Sequence, residues 1–152
     1  MPDKVDKRPD IIACLKSYFD ENAERFSLEM AFLYGSRAEG VPGVHSDVDI
    51  AVVFSKENTV EEDEFDCINT IALSLSSKLG KEVNIIVIYK DFRKPMLYYN
   101  AIVHGVPVFF KDFDGYADLR CEAIFQMEDF NIFGTQWQLQ VARKNLEELG
   151  HG

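Results

Sequence analysis

Four short apolar runs constrain this chain most: LEMAFLY (28–34), VDIAVVF (48–54), EVNIIVI (82–88) and VPVFF (106–110). Each is bounded by turn formers or charge and is rich in β-branched or aromatic residues, so each reads as a strand, the first two as buried ones. The segments around them follow a helical period instead. Residues 9–25 open on Pro9 and repeat Ile11, Ile12, Leu15, Tyr18 and Phe19 on one face, as an amphipathic helix does. Residues 60–79 start with acids, place Phe65, Ile68, Ala72, Leu75 and Leu79 on one face and stop at Gly80, which predicts a second helix. Residues 93–104 predict a third, ending at Gly105, and 116–149 one or two more, broken near Asn131 or Gly134. Strands alternating with helices predict an α/β (α+β) fold, a mixed sheet of about four strands with flanking helices. At 152 residues the chain suffices for one domain, 1–152, with residues 116–149 as a C-terminal helical appendage after the turn-like Lys111–Gly115 stretch.

Composition narrows the function classes. A hydrophobic fraction of 47% is that of a globular protein. Sixteen basic and 26 acidic residues leave a net charge of -10, which argues against a nucleic-acid duplex as partner, because affinity there rests on Lys and Arg neutralising phosphates. A nucleotide held through a cation stays open, since the metal supplies the positive charge. Cys14, Cys67 and Cys121 stand far apart and form no Cys-x-x-Cys, so no zinc knuckle is suggested, and three reduced, buried or partly buried thiols are expected. The polar, charged N-terminus and the lack of a bilayer-length apolar run point to a cytoplasmic protein without a membrane association.

Chemistry concentrates in GSRAEGVPGVHSDVD, residues 35–49. In a strand, residues i and i+2 share a face, so Asp47 and Asp49 project together while Val48 points away. Two adjacent carboxylates repel unless a cation or proton compensates. Ile50–Phe54 continue the strand as a wholly apolar run, which sets the pair at the mouth of a buried strand. Oxygen-only ligands favour Mg²⁺ or Mn²⁺, with Mg²⁺ keeping positions open for phosphate oxygens. Gly35 permits a tight turn and close approach of a ligand, and Ser36 offers a hydroxyl and a backbone N–H where a helical turn would face an anion. Either half alone is an ordinary loop pattern; the joint order strand, Gly-Ser, ten residues, Asp-x-Asp, strand is the specific signal.

That arrangement, with its LYGSRAEG and SDVDIAVVF context and the later EVNIIVI, resembles the DNA polymerase β-like nucleotidyltransferase superfamily, and within it the minimal nucleotidyltransferase (MNT) branch. The resemblance is specific over residues 28–54 and weaker toward both ends. It implies an antitoxin acting on a HEPN-domain toxin by Mg²⁺-dependent transfer of AMP from ATP to a hydroxyl, such as a tyrosine. It assigns Gly35, Ser36 and Arg37 to the nucleotide and Asp47 and Asp49 to the metal. A homo- or hetero-oligomer is compatible with it.

The chain departs from the pattern at one place. Active members of the superfamily usually carry a third carboxylate on the next core strand, and here that position is Asn84. An amide has no basic group at neutral pH, and general-base work contributes typically about 10²–10⁴-fold. Glu82 shares the face of Asn84, displaced by roughly 6–7 Å along the strand, and reads more simply as a solvated strand start. Asn84 therefore brings in a second function class, an inactive nucleotidyltransferase fold that neutralises its partner by binding. A third, a small-molecule nucleotidyltransferase, is disfavoured by the lack of room for a substrate domain.

Other residues read more plainly. Arg37 either meets a phosphate or pairs with an acid such as Glu39. His45 is expected in a solvated loop, His104 at a helix end, and the acids Glu61–Glu64 at a solvated helix start. Tyr98 and Tyr99 read as core and rim, and Phe125, Phe130, Ile132, Phe133 and Trp137 as partly core and partly exposed.

Overall fold

A computed structural model describes residues 8–35, 47–55 and 61–150. Helix α1 spans Arg8–Asn22, strand β1 Leu28–Tyr34 and strand β2 Val48–Phe54. Helix α2 spans Glu61–Leu79, β3 Val83–Val87 and α3 Pro95–Tyr99. A π-helical turn, Asn100–His104, continues α3. Strand β4, Val106–Phe110, and a 38-residue helix α4, Phe113–Gly150, are the last of the described elements.

The strands form one sheet in the order β3-β2-β1-β4. β1 runs antiparallel to both β2 and β4, whereas β2 and β3 are parallel. A parallel neighbour needs a crossover of a dozen or more residues, which α2 supplies. β2 is central, and Val48 and Ile50–Phe54 are all buried. Burial on both sides explains why its sequence is a continuous apolar run rather than an alternating one. On one face, Val48, Ile50 and Val52 pack with Leu15 and Phe19 of α1 and Ile71 and Leu75 of α2. On the other, Ala51 and Val53 join Phe32, Tyr98, Ala101, Ile102 and Ala123 beneath α3, the π turn and α4.

Several expectations need correction. The predicted helix 93–104 is one helical turn that widens into the π turn. The predicted turn at 111–115 gives way to helix from Phe113, where Asp112 accepts a hydrogen bond from the Gly115 N–H at 2.6 Å. That side-chain bond satisfies a donor the first turn leaves open. The break predicted near Asn131 or Gly134 is absent, and α4 runs on to Gly150; one helical glycine costs only about 1 kcal/mol. The register of α2 differs as well. Phe65 is 64% exposed, and the inward stripe runs through Glu64, Ile68, Ile71 and Leu75. Cys14 and Cys67 are half-buried as expected, but Cys121 is exposed, and all three are free thiols. No helix among the described residues is long and apolar enough to cross a membrane.

Candidate functional site

The end of the sheet where β1 stops and β2 and β3 start gathers the residues that carry chemistry. Tyr34 pairs with Asp49 across the antiparallel β1–β2 ladder, and Asp49 pairs with Asn84 across the parallel β2–β3 ladder. The Val48 N–H bonds the Glu82 carbonyl at 2.9 Å and pins the start of β3 against β2. Register alone thus places three side chains from three strands in a row on one face.

The side chains meet there. Asn84 Nδ2 donates to Asp47 Oδ2 at 3.2 Å and to Asp49 Oδ1 at 3.4 Å. One amide reaching both carboxylates shows that Asp47 and Asp49 share a face, as their i, i+2 spacing requires. Both aspartates are half-buried and Asn84 is exposed, so the group opens to solvent. Gly35 closes the other side. Its φ of +77° lies in the left-handed region, and a Cβ built on it would stand 2.8 Å from Asp49 Oδ2. Position 35 therefore needs glycine for backbone conformation and for the space beside the carboxylate.

Tyr34 is a site residue that the motif did not single out. It shares a face with Met30 and Phe32 and packs at the edge of the core under α3 and α4. Burial, and then the negative charge of Asp49, hold its hydroxyl above the ordinary tyrosine range. The i, i+2 spacing puts Tyr34 on the face of Met30 and Phe32, but only the β1–β2 register sets that face beside Asp49.

Ser36, Arg37, Glu39 and His45 lie outside the described residues. Glu82 is exposed at the entrance to β3, as a solvated residue would be. His104 is exposed with its ring edge-on to Tyr99 at 5.2 Å, and Tyr98 is core.

Could these residues hold a cation? Among the described residues no group of three or more His, Cys, Asp or Glu is placed to hold a metal ion. Two carboxylates on an open rim suit Mg²⁺, which typically binds through one or two carboxylates and takes waters and substrate phosphates for the rest. The donor set fits a metal–nucleotide and does not fit a stand-alone structural metal.

Glu64, expected in solvent, is only 7% exposed and accepts a hydrogen bond from Tyr89 Oη at 3.3 Å. It lies between two clefts of about 350 and 250 Å³, which both also touch Phe54 at the far end of β2. Burial, then the Glu64 charge and hydrogen bond, push the Tyr89 hydroxyl up. The acidic run hid this residue, because composition does not tell which acid of a run turns inward.

Residues 14–114 match the family model described as "Polymerase beta, Nucleotidyltransferase". No curated protein sequence matches the chain. Among solved structures, a chain of a toxin–antitoxin crystal structure with AMP-PNP superposes with a TM-score of 0.63 at 16% identity, covering 83% of this chain and 97% of that one. A chain of the toxin–antitoxin structure MntA-HepT gives a TM-score of 0.59 at 14% identity over 85% of this chain and 97% of that one. A chain from the complex of tri-AMPylated Shewanella oneidensis HEPN toxin with MNT antitoxin gives 0.58 at 14% over 86% and 98%. At these identities the likeness is one of fold.

Proposed function

The chain belongs to the polymerase β nucleotidyltransferase family, and from that premise we propose that it is an MNT-type antitoxin that transfers AMP from ATP to a hydroxyl, a tyrosine by preference, of a HEPN-domain partner. The observation that carries the reading is the convergence of Asp47, Asp49 and Asn84 on one rim beside Gly35. The similar chains from HEPN–MNT and AMP-PNP complexes support the partner and nucleotide classes.

Asp47 and Asp49 would hold Mg²⁺ or Mn²⁺, which when bound supplies Lewis-acid stabilisation of charge on the triphosphate. Gly35 keeps the space beside Asp49 clear. Ser36 and Arg37 are assigned to the phosphates, Ser36 by its hydroxyl and N–H and Arg37 by its planar fork. The acceptor oxygen attacks the α-phosphorus, the bond to the β-phosphate oxygen breaks, and pyrophosphate leaves. Asn84 offers no basic atom, so the acceptor proton passes to solvent. Positioning and electrostatics carry the reaction without a covalent protein intermediate.

Asn84 also supports a second reading, in which the fold binds and occludes its partner without transfer. Incubation of the protein and its HEPN partner with α-labelled ATP and Mg²⁺ separates the two, with Asp47→Ala/Asp49→Ala as control. Label on the partner that the control abolishes establishes the transferase. A stable complex without label, unchanged in the control, establishes the binding protein and overturns the transferase.

A further inference from the structure

The Asn84 amide holds each aspartate by one oxygen only. It takes Oδ2 of Asp47 and Oδ1 of Asp49, and Asp49 Oδ2 is the atom that faces Gly35. A carboxylate has about four lone-pair sites, so these bonds leave Asp47 Oδ1 and Asp49 Oδ2 to accept elsewhere. The amide donates because its carbonyl would repel two carboxylates. It thereby compensates part of the repulsion that sharing one strand face imposes on the pair. A carboxylate at position 84 would do the opposite, adding a third negative group to the row.

We propose that Asn84 is a positioning residue that clamps Asp47 through Oδ2 and Asp49 through Oδ1 and limits the site to a single divalent cation, bound by the two remaining oxygens, of which Asp49 Oδ2 faces Gly35. A second hard cation would find on β3 one neutral amide oxygen instead of a charged ligand. It would also have to displace the amide from both aspartates. The inference rests on the nucleotidyltransferase reading and deepens it by fixing the metal count.

The test is Mn²⁺ binding, read by electron paramagnetic resonance and equilibrium dialysis on the full chain with α,β-methylene-ATP, a nucleotide that cannot be cleaved at the α-phosphate. Wild type is expected to take up one Mn²⁺ per ternary complex with no spin-coupled signal. Asn84→Asp is expected to take up two, with coupling. Asn84→Ala should keep the count at one but bind about 10–100-fold more weakly, the usual cost of losing a group that orients metal ligands. Position 84 is exposed, and circular dichroism will confirm that both variants fold. Two Mn²⁺ in wild type, or Asn84→Ala binding as tightly as wild type, would overturn the clamp and leave the transferase reading standing. No Mn²⁺–nucleotide uptake by wild type would overturn both.

Discussion

Replacing Gly35 with alanine tests the site without touching a charged group. Two penalties follow from the geometry at this position. The φ of +77° is unfavourable for any residue with a Cβ, which costs about 1–2 kcal/mol. The new Cβ would also stand 2.8 Å from Asp49 Oδ2, so the carboxylate must retreat by roughly 0.7 Å to reach a separation near 3.5 Å. Metal–ligand distances tolerate only about 0.2 Å, so that retreat removes Asp49 from a productive position. Gly80 provides the control. Its φ is +65°, yet a Cβ there meets nothing within 4 Å.

Gly80→Ala should therefore lose stability by a similar amount and keep its Mn²⁺–ATP affinity. Gly35→Ala should lose both, with affinity down about 10–100-fold. In a domain of this size each kilocalorie lowers Tm by roughly 2–4 °C, so calorimetry resolves the common stability term and titration calorimetry with Mn²⁺–ATP resolves the difference. Equal affinities for the two variants would refute the argument, because they would show that the space beside Asp49 is not where the metal–nucleotide sits.

Three further outcomes follow from other parts of the fold. Leu75→Ala should destabilise the domain by about 2–5 kcal/mol in denaturant melts, since Leu75 is fully buried between α2 and the sheet. Tyr89 keeps its proton longer in the folded state than in the unfolded one, because of burial and then Glu64. Its share of stability is therefore full below the unfolded value near 10 and fades as pH climbs through the raised folded value. Glu64→Gln removes the charge but keeps an acceptor, and should bring the Tyr89 titration down in ultraviolet phenolate measurements read against a Tyr89→Phe control. Exposed Cys121 should react first with an alkylating reagent and Cys67 last in a mass-spectrometric time course, as burial and then the Asp63 and Asp66 charges disfavour the Cys67 thiolate.

What the sequence disclosed followed period and chemistry. The limits of β1, β2 and β4 coincide with the apolar runs LEMAFLY, VDIAVVF and VPVFF, because the inner strands β1 and β2 are apolar along almost their whole length and the residues that flank the three runs are serine, glycine or charged. The i, i+2 rule placed Asp47 beside Asp49, and the amide between them bears this out. What escaped depended on rotation about an axis or on tertiary contact. A helix stripe about 100° wide passes through either Glu64 or Phe65, and hydrophobicity favoured Phe65. The fold instead turns Glu64 inward, where Tyr89 donates to it. The π turn at Asn100–His104 and the unbroken α4 likewise carry no local mark, since the same residues would suit an ordinary helix or a helix with a break.

Position 84 shows how topology completes a site that no local motif contains. Asp49 and Asn84 are separated by 35 residues, and they meet because β3 runs parallel to β2. An antiparallel β3 would bring the Val87 end to this rim and carry Asn84 to the far end of the sheet. The parallel arrangement requires the long α2 crossover, and α2 is held by Ile71 and Leu75 in the core shared with α1. The amide that spans the two aspartates thus depends on helix packing on the opposite face of the sheet. Core substitutions in α2 should accordingly weaken cation binding even where the chain stays folded, whereas substitutions at the exposed Phe65 or Leu73 of the same helix should leave it unchanged. Mn²⁺ affinity that tracks the buried positions and ignores the exposed ones would show that the crossover, and not the Asp-x-Asp strand alone, builds the site.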